Sequence, residues 1–411
     1  MTAGSYLRRS MQNNSIELAV PVAEAEATSG KALQVRVLRS VAELEEVRPA
    51  WQSWCRHPNA DMDLYLLLMD CKPELLRPHI MVLYRDGRPE AMLIGRVVNQ
   101  RLEFKIGYKT FLKPNVRVLN IVHGGTLGDL SSENSEFLIR EIEESLRRGE
   151  ADVAALNWIR TDSPLYRAAK QLPGVLSRDF FPTVQSHWKM SLSGSMERDY
   201  QGGSKDYREL RRKAKKLHAD YSNQVKIRCF RELVDLQRMI SDVEEIAEGT
   251  YQRGLGVGFI DNAETRRHLN LEAEKAWLRA YVLYVAEKPC AFWIGNVYRG
   301  VFHGGSAGYD PRYSKYAPGK FLMTRGMETL YEGGVREIDF GLGDADYKQG
   351  FGNGKWDEVL IYIFAPTLRG FWLNALRTPM VAIDQLAKKA LEKTGLLQKI
   401  KRIWRDRVRQ N

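Results

Sequence analysis

Two stretches of this chain repeat one order of apolar patterning, with a polar, basic interval between them. In the first, Leu33–Leu38 alternates as a short strand, and Val41–Cys55 sets Leu44, Val47, Trp51 and Trp54 on one helical face. Leu64–Met69 continues as helix. Ile80–Tyr84 and Glu90–Gly95 flank Asp86-Gly87, a pair suited to the positive-φ turn of a hairpin. Asn120–Val122 reads as a strand running into His123-Gly124-Gly125. Ser135–Arg148 is then a helix stopped by Gly149, and Val153–Trp158 a further strand. In the second stretch, Leu233–Glu248 and Thr265–Leu278 are predicted helices. Ala280–Ala286 and Cys290–Val297 form a hairpin across Glu287-Lys288-Pro289, and Val301–Ala307 is the next strand. A helix follows with Phe321, Leu322, Met327 and Leu330 inward, ending at Gly333-Gly334, and Val335–Phe340 closes the series as a strand.

This order predicts an α/β (α+β) chain of two tandem domains, each a mixed twisted sheet flanked by helices. The expected boundaries are 33–190 and 225–366. Residues 1–32 are polar and Ala/Glu-rich without periodicity and read as a disordered leader. Residues 191–224 form a linker with a basic helix, Ser204–Tyr221, striped by Leu210, Ala214 and Leu217. Residues 367–411 form a basic helical tail with Leu386, Ala390, Leu397, Ile400, Trp404 and Val408 on one face.

The densest local signal is the turn Tyr316-Ala317-Pro318-Gly319-Lys320 between a strand and a helix. Proline suits a first helical turn, because its missing N–H is not needed there. Gly319 admits close approach of a ligand to the backbone, and Lys320 adds a cation beside the free N–H groups of the helix start. Such a terminus can hold a pyrophosphate.

These residues stand in a recognisable sequence. Tyr309-Asp310-Pro311, Tyr316-Ala317-Pro318-Gly319, Asp339-Phe340, Gly343-Asp344 and Tyr347-Lys348 occur in order. Upstream are Ile246-Ala247, Thr250-Tyr251-Gln252-Arg253 and Pro289-Cys290-Ala291-Phe292-Trp293. Over about residues 200–352 the chain resembles the GNAT-superfamily acyltransferases of the cellulose-biosynthesis acetyltransferase (CelD/BcsL-like) type. Its tandem organisation resembles the Fem-type peptidoglycan aminoacyltransferases. The departure is Gln349-Gly350-Phe351, where the family carries an aromatic-basic run.

The resemblance implies acetyl-CoA or another acyl-CoA as co-substrate, and direct attack of an acceptor amine on the thioester. It places Ser306, Ala307 and Gly308 beside the thioester, and Tyr316, Pro318, Gly319 and Lys320 on the cofactor phosphates. Asp344, Tyr347, Lys348 and His303 are the catalytic candidates. Asp344 takes or holds the amine proton, and Tyr347 and Lys348 orient substrate hydroxyls or the cofactor. His303 is the alternative base, and Asp339, inside a strand, is read as structural. Tyr251 and Trp293 are expected to line the acceptor pocket. His123-Gly124-Gly125 echoes His303-Gly304-Gly305, but no Pro-Gly-Lys turn follows it. The first domain is therefore expected to shape the acceptor cleft without binding cofactor.

The net charge of +11 refines this picture. Residues 367–411 hold eleven Lys/Arg against three Asp/Glu, and residues 197–228 hold ten against five, leaving the remainder near neutral. A uniformly basic nucleic-acid face is thus not indicated. The tail pattern fits an anionic membrane surface or, alternatively, a helix packed on the body. No apolar run reaches the roughly 20 residues of a membrane span. The N-terminus shows no signal-peptide pattern, and the four cysteines form no CxxC pair. The expectation is a cytoplasmic protein, peripheral at the inner membrane face if the tail docks. The seven histidines are scattered along the chain, so no metal site is expected. The leading reading is an N-acyltransferase acting on an amine-bearing sugar or small molecule in bacterial envelope or polysaccharide metabolism. Two rivals stand beside it: an aminoacyl-tRNA-dependent Fem-like transferase, and a non-catalytic scaffold of a membrane glycan synthase.

Overall fold

The computed structural model describes residues 33–393 except 108, 201–202, 223, 251–252 and 254–257. The leader, Tyr251, and the tail positions Leu397, Ile400, Trp404 and Val408 therefore lie outside the described residues.

The first half supplies β1 (Leu33–Leu38), β2 (Leu75–Pro78), β3 (Ile80–Arg85), β4 (Arg88–Arg101), the small separate pair β5 (Phe104–Ile106) and β6 (Lys109–Leu112), β7 (Asn115–Gly128), β8 (Val153–Arg160) and β9 (Thr183–Ser191). The second supplies β10 (Val225–Phe230), β11 (Leu278–Val285), β12 (Lys288–Tyr298), β13 (Val301–Tyr309), β14 (Glu337–Leu342) and β15 (Gly354–Phe364). They join in one sheet of order β1-β3-β4-β7-β8-β15-β9-β14-β13-β12-β11-β10, with β2 added beside β4. Each half is an antiparallel meander ending in a single parallel pair, β7 with β8 and β13 with β14. The last strand of each half then crosses over. β15 pairs with β8 of the first half, β9 pairs with β14 of the second, and the two crossing strands pair with each other. The fold is the predicted mixed α/β class, but the halves share one sheet.

Local chemistry accounts for most of these elements. Asp86 and Gly87 both take positive φ, the requirement of a type I′ hairpin turn. The matching turn in the second half is Ala286-Glu287, also at positive φ. It precedes the predicted Glu287-Lys288-Pro289, because Lys288 and Pro289 already pair with Val285 and Tyr284. Asn262 caps the N–H of Thr265, starting the helix Ala263–Glu274. That helix stops short of the predicted Leu278, since Ala276 turns at φ +57° and Leu278 opens β11. β9 and β15 are strands that the apolar pattern did not reveal.

Helices cover both sheet faces. Ser132–Arg147 and Met62–Cys71 serve the first half, and Pro318–Glu332 and Leu236–Glu248 the second. The basic helix Gly203–Asp220 buries Leu210 and Leu217 and packs toward Pro318–Glu332, with His218 5.9 Å from the Phe321 ring. The last helix, Leu368–Lys393, is no free tail at its start. Leu373, Asn374 and Arg377 are buried, and Arg377 pairs at 2.5 Å with buried Asp179. Its other face exposes Leu368, Phe371 and Trp372. The halves are also tied by Arg267–Asp70 (2.6 Å), Lys72–Glu264 (2.8 Å) and the Tyr298 hydroxyl donating to Asp61 (3.0 Å).

Candidate active site

The parallel pair β13–β14 holds for only three residues, Val301–His303 against Glu337–Asp339, and then divides. Beyond the split, β13 also slips against β12 between Trp293 and Gly295. Gly295 is required there, because a Cβ would stand 2.3 Å from the His303 carbonyl oxygen. The split leaves the backbone of residues 304–308 unpaired with β14 and opens a cleft of about 480 Å³. Its walls include His57, His123, Ile294, His303, Ser306 and Asp339.

The strand end leads straight into the turn. Asp310 accepts from the N–H of Arg312, Pro311–Tyr316 forms a short 3₁₀ helix, and Ala317 takes φ +52° before the helix begins at Pro318. The Phe321 N–H bonds back to the Ala317 carbonyl, whereas the N–H groups of Gly319 and Lys320 precede any intrahelical acceptor. A Cβ on Gly319 would meet only Tyr309, at 3.6 Å, so this glycine is not demanded by packing. Tyr316 and Pro318 are buried supports, and the Tyr316 hydroxyl donates to Asp220 of the basic helix at 2.6 Å.

At the floor of the cleft, four of the seven histidines meet two carboxylates. The histidines are scattered in sequence but not in space. His57 lies in the loop after the first helices, His123 on β7, His187 on β9, His303 on β13, Asp339 on β14 and Glu358 on β15. His187 sits between the carboxylates, with Nε2 donating to Asp339 Oδ1 at 2.6 Å and Nδ1 3.1 Å from Glu358 Oε2. Its ring stacks on Trp356 at 4.5 Å. His123 Nε2 is also 3.1 Å from Glu358 Oε2, and His303 Nδ1 is 3.3 Å from Asp339 Oδ2. His57 packs 4.6 Å from the His123 ring and 4.9 Å from that of His303. Gly124, at φ +76°, makes room for it, since a Cβ would lie 2.5 Å from the His57 Cβ.

Burial and neighbours set the charges. Burial lowers His57 to about 3, and the adjacent imidazoles reinforce this, so His57 is neutral. Burial would also lower His187, but Asp339 and Glu358 outweigh it and raise the ring to about 9. Burial opposes ionisation of both carboxylates. The histidines nevertheless hold Glu358 down at about 2 and Asp339 below the ordinary carboxylate range.

Of the residues singled out in the sequence, His303 and Ser306 line this cleft. Ala307 and Gly308 continue β13 beyond it, with Gly308 packed on Phe292. Asp344 lies outside the cleft on an exposed turn, where it accepts from the Trp188 indole at 2.9 Å. Lys348 is buried, which lowers its pKa, and its Nζ donates to the Leu342 carbonyl at 2.6 Å, anchoring the end of β14. Tyr347 is half-buried edge-on to Phe340. Trp293 does not face the cleft. It is 2% exposed, packed between Tyr281 and Phe302 and against Gly326, because its place on β12 points into the core. Asp339, read as structural, is central to the cluster. His57, His187 and Glu358 were not singled out at all.

Residues 204–349 match the family model described as an acetyltransferase (GNAT) domain. No curated protein matches the chain in sequence. Among solved structures, FemX aligns with a TM-score of 0.51 at 11% identity, over 78% of this chain and 96% of that one. A tandem GNAT protein from the clavulanic acid biosynthesis pathway aligns at 0.47 and 11%, over 82% and 99%. L-PGS from Bacillus licheniformis aligns at 0.45 and 13%, over 82% and 96%. Residues 204–349 are thus similar to the GNAT acetyltransferase domain, and the chain as a whole has a mixed α/β fold shared with FemX.

Proposed function

We propose that this protein transfers an acyl group, acetyl in the first instance, from acyl-CoA to an amine acceptor. The observation that carries the reading is the division of β13 from β14 after His303 and Asp339, directly upstream of the Pro318 helix start. A split of this kind leaves strand N–H groups free to meet a thioester carbonyl, while the helix terminus receives the pyrophosphate. The acceptor amine then enters from the His57 side of the cleft. It attacks the carbonyl carbon, the carbonyl electrons move onto oxygen, and the thiolate of CoA leaves as they return. We assign to His303 the role of taking the amine proton. It lines the cleft, and neither ring nitrogen has a hydrogen-bond partner, although Nδ1 lies 3.3 Å from Asp339. Asp339, itself held by His187, sets a negative charge 3.3 Å from that ring. Asp344, outside the cleft on its exposed turn, is left the role of meeting the acceptor before it enters. Neutral His57 supplies a hydrogen-bonding wall and not a base.

An amine-bearing sugar of envelope or polysaccharide metabolism remains our proposed acceptor class, carried by the motif resemblance. A second donor, aminoacyl-tRNA, is favoured by one observation: the exposed row Arg208, Arg211, Arg212 and Lys215 on the basic helix. Peripheral membrane attachment is supported by Leu368, Phe371 and Trp372, exposed on one face of the basic last helix.

Calorimetric titration with acetyl-CoA and CoA tests the donor. A ligand at a hundredfold its dissociation constant should also stabilise the protein by about 2.7 kcal/mol. Gly319→Val should leave stability unchanged, given the open space around that position, and weaken binding at least tenfold. Absence of binding at millimolar acyl-CoA defeats the proposal. Salt-sensitive binding of aminoacyl-tRNA instead would select the second donor.

A further inference from the structure

We infer that His123, His187 and Glu358 form a binding site for a divalent transition-metal ion of the zinc class, where the exchanged strands cross. Metal ligands converge on a common point and not on one another. In a tetrahedral or octahedral set at zinc–ligand distances, neighbouring donor atoms lie roughly 3.0–3.4 Å apart. Glu358 Oε2 lies 3.1 Å from His123 Nε2 and 3.1 Å from His187 Nδ1, and the three donor atoms fall within 4.8 Å of one another.

The directions agree with the distances. Despite the 3.1 Å contacts, His187 Nδ1 and Glu358 Oε2 are buried without a hydrogen-bond partner. Both side chains are more than nine-tenths buried. Two enclosed atoms thus lie 3.1 Å apart without an aligned hydrogen bond between them, and a cation bound by both would satisfy them by taking the place of the imidazole proton that Glu358 otherwise faces.

The surrounding residues hold these donors as a metal site requires. His187 donates its other ring nitrogen to Asp339 Oδ1 at 2.6 Å, which fixes the ring so that Nδ1 faces Glu358; a metal ion would displace the proton that Nδ1 carries in the metal-free protein. The Trp356 indole donates to Glu358 Oε1 at 2.8 Å and stacks on His187, fixing both ligands at once. His123 lines the cleft, so the three ligands stand at its edge. Two imidazoles and one carboxylate with an open position suit zinc or a neighbouring first-row ion, not calcium or magnesium. The ligands come from β7, β9 and β15, so the ion would tie both halves of the chain. None of this depends on the acyltransferase reading. Acyl-CoA binding and metal binding are measured separately, and either can fail alone.

The test uses the full chain, stripped with chelator, dialysed and titrated with zinc against a chromogenic competitor. The expected result is one equivalent bound with a submicromolar dissociation constant. His123→Ala and Glu358→Gln should each weaken binding at least a hundredfold, Trp356→Phe roughly tenfold as an outer-shell partner, and His218→Ala not at all. X-ray absorption of the zinc-loaded wild-type protein needs no variant and should show two imidazole ligands. Failure to compete for zinc, equal binding by all four variants, or a spectrum without imidazole scattering would each overturn the site.

Discussion

The last helix decides whether the basic C-terminal segment belongs to the folded body, and Arg377→Met is the sharpest probe of it. Arg377 and Asp179 are both buried, their side chains 9% and 1% exposed, and they join at 2.5 Å. The guanidinium also lies 4.7 Å from the Tyr362 ring centre. Methionine fills much of the same volume but removes the charge, leaving Asp179 uncompensated. Stranding one member of a buried pair costs about 3–5 kcal/mol. Asp179 keeps two backbone donors, the N–H groups of Phe181 (3.0 Å) and Tyr362 (3.2 Å), which places the loss at the lower end, about 3 kcal/mol. Adding Asp179→Asn to the methionine variant should restore about half of it, because the stranded charge is then gone. Guanidinium denaturation of the four proteins gives the cycle, and amide exchange along residues 368–390 shows whether the helix detaches first. A loss below 1 kcal/mol, with unaltered exchange, would refute the reasoning. The segment would then be docked too weakly to count as part of the body.

Other outcomes follow from the same structure. Burial would raise the Glu150 carboxyl, yet Arg39 and Arg77 hold it at about 2, so its contribution is present above the unfolded value near 4.5 and lost as pH falls from there towards 2. Glu150→Gln should therefore cost about 1–2 kcal/mol at pH 7, after solvent screening, and almost nothing at pH 2; a pH-independent cost would contradict this assignment. Trp372→Ser should reduce co-sedimentation with anionic phosphatidylglycerol vesicles several-fold while leaving stability within about 0.5 kcal/mol, and equal sedimentation would remove the exposed apolar face as an anchor. Gly124→Ala must adopt φ +76° and displace His57, so a loss of at least about 2 kcal/mol in thermal or chemical denaturation is expected; a neutral variant would mean that the His57 packing is looser than the geometry states.

Much of the scaffold was legible because it is written in local chemistry. The two hairpins, the helix stops at Gly149 and Gly333, and the Pro318 helix start all follow from residues within a few positions of one another. Of the stripe Leu210, Ala214 and Leu217, the two leucines are buried and Ala214 partly so, as its spacing requires. The site was legible only on β13. His303 and Ser306 were found because they sit beside the recognisable turn, whereas Trp293 was misplaced because an isolated aromatic gives no indication of which face it occupies. β9 escaped notice because Thr183–Ser191 is neither cleanly alternating nor apolar, its environment being a strand crossing and not a two-faced sheet interior. β15 carried a usable signal, the run Val359–Phe364, behind a charged start.

Those two strands explain why the cluster could not be read along the chain. His187 and Glu358 are 171 positions apart in sequence, yet the register pairs Glu358 with Gln185 and Trp356 with His187. Each half lends its final strand to the other, so residues of β9 meet Asp339 of the second half, and residues of β15 meet His123 of the first. A site made this way does not exist in either half alone. Duplication alone would give two similar clefts, each with its own floor. The exchange brings the floors together at the centre of one sheet. There a first half lacking the Pro-Gly-Lys turn still contributes His57, His123 and His187. The absence of a Pro-Gly-Lys turn after His123 is therefore compatible with the first half keeping these histidines, since they meet at the shared floor.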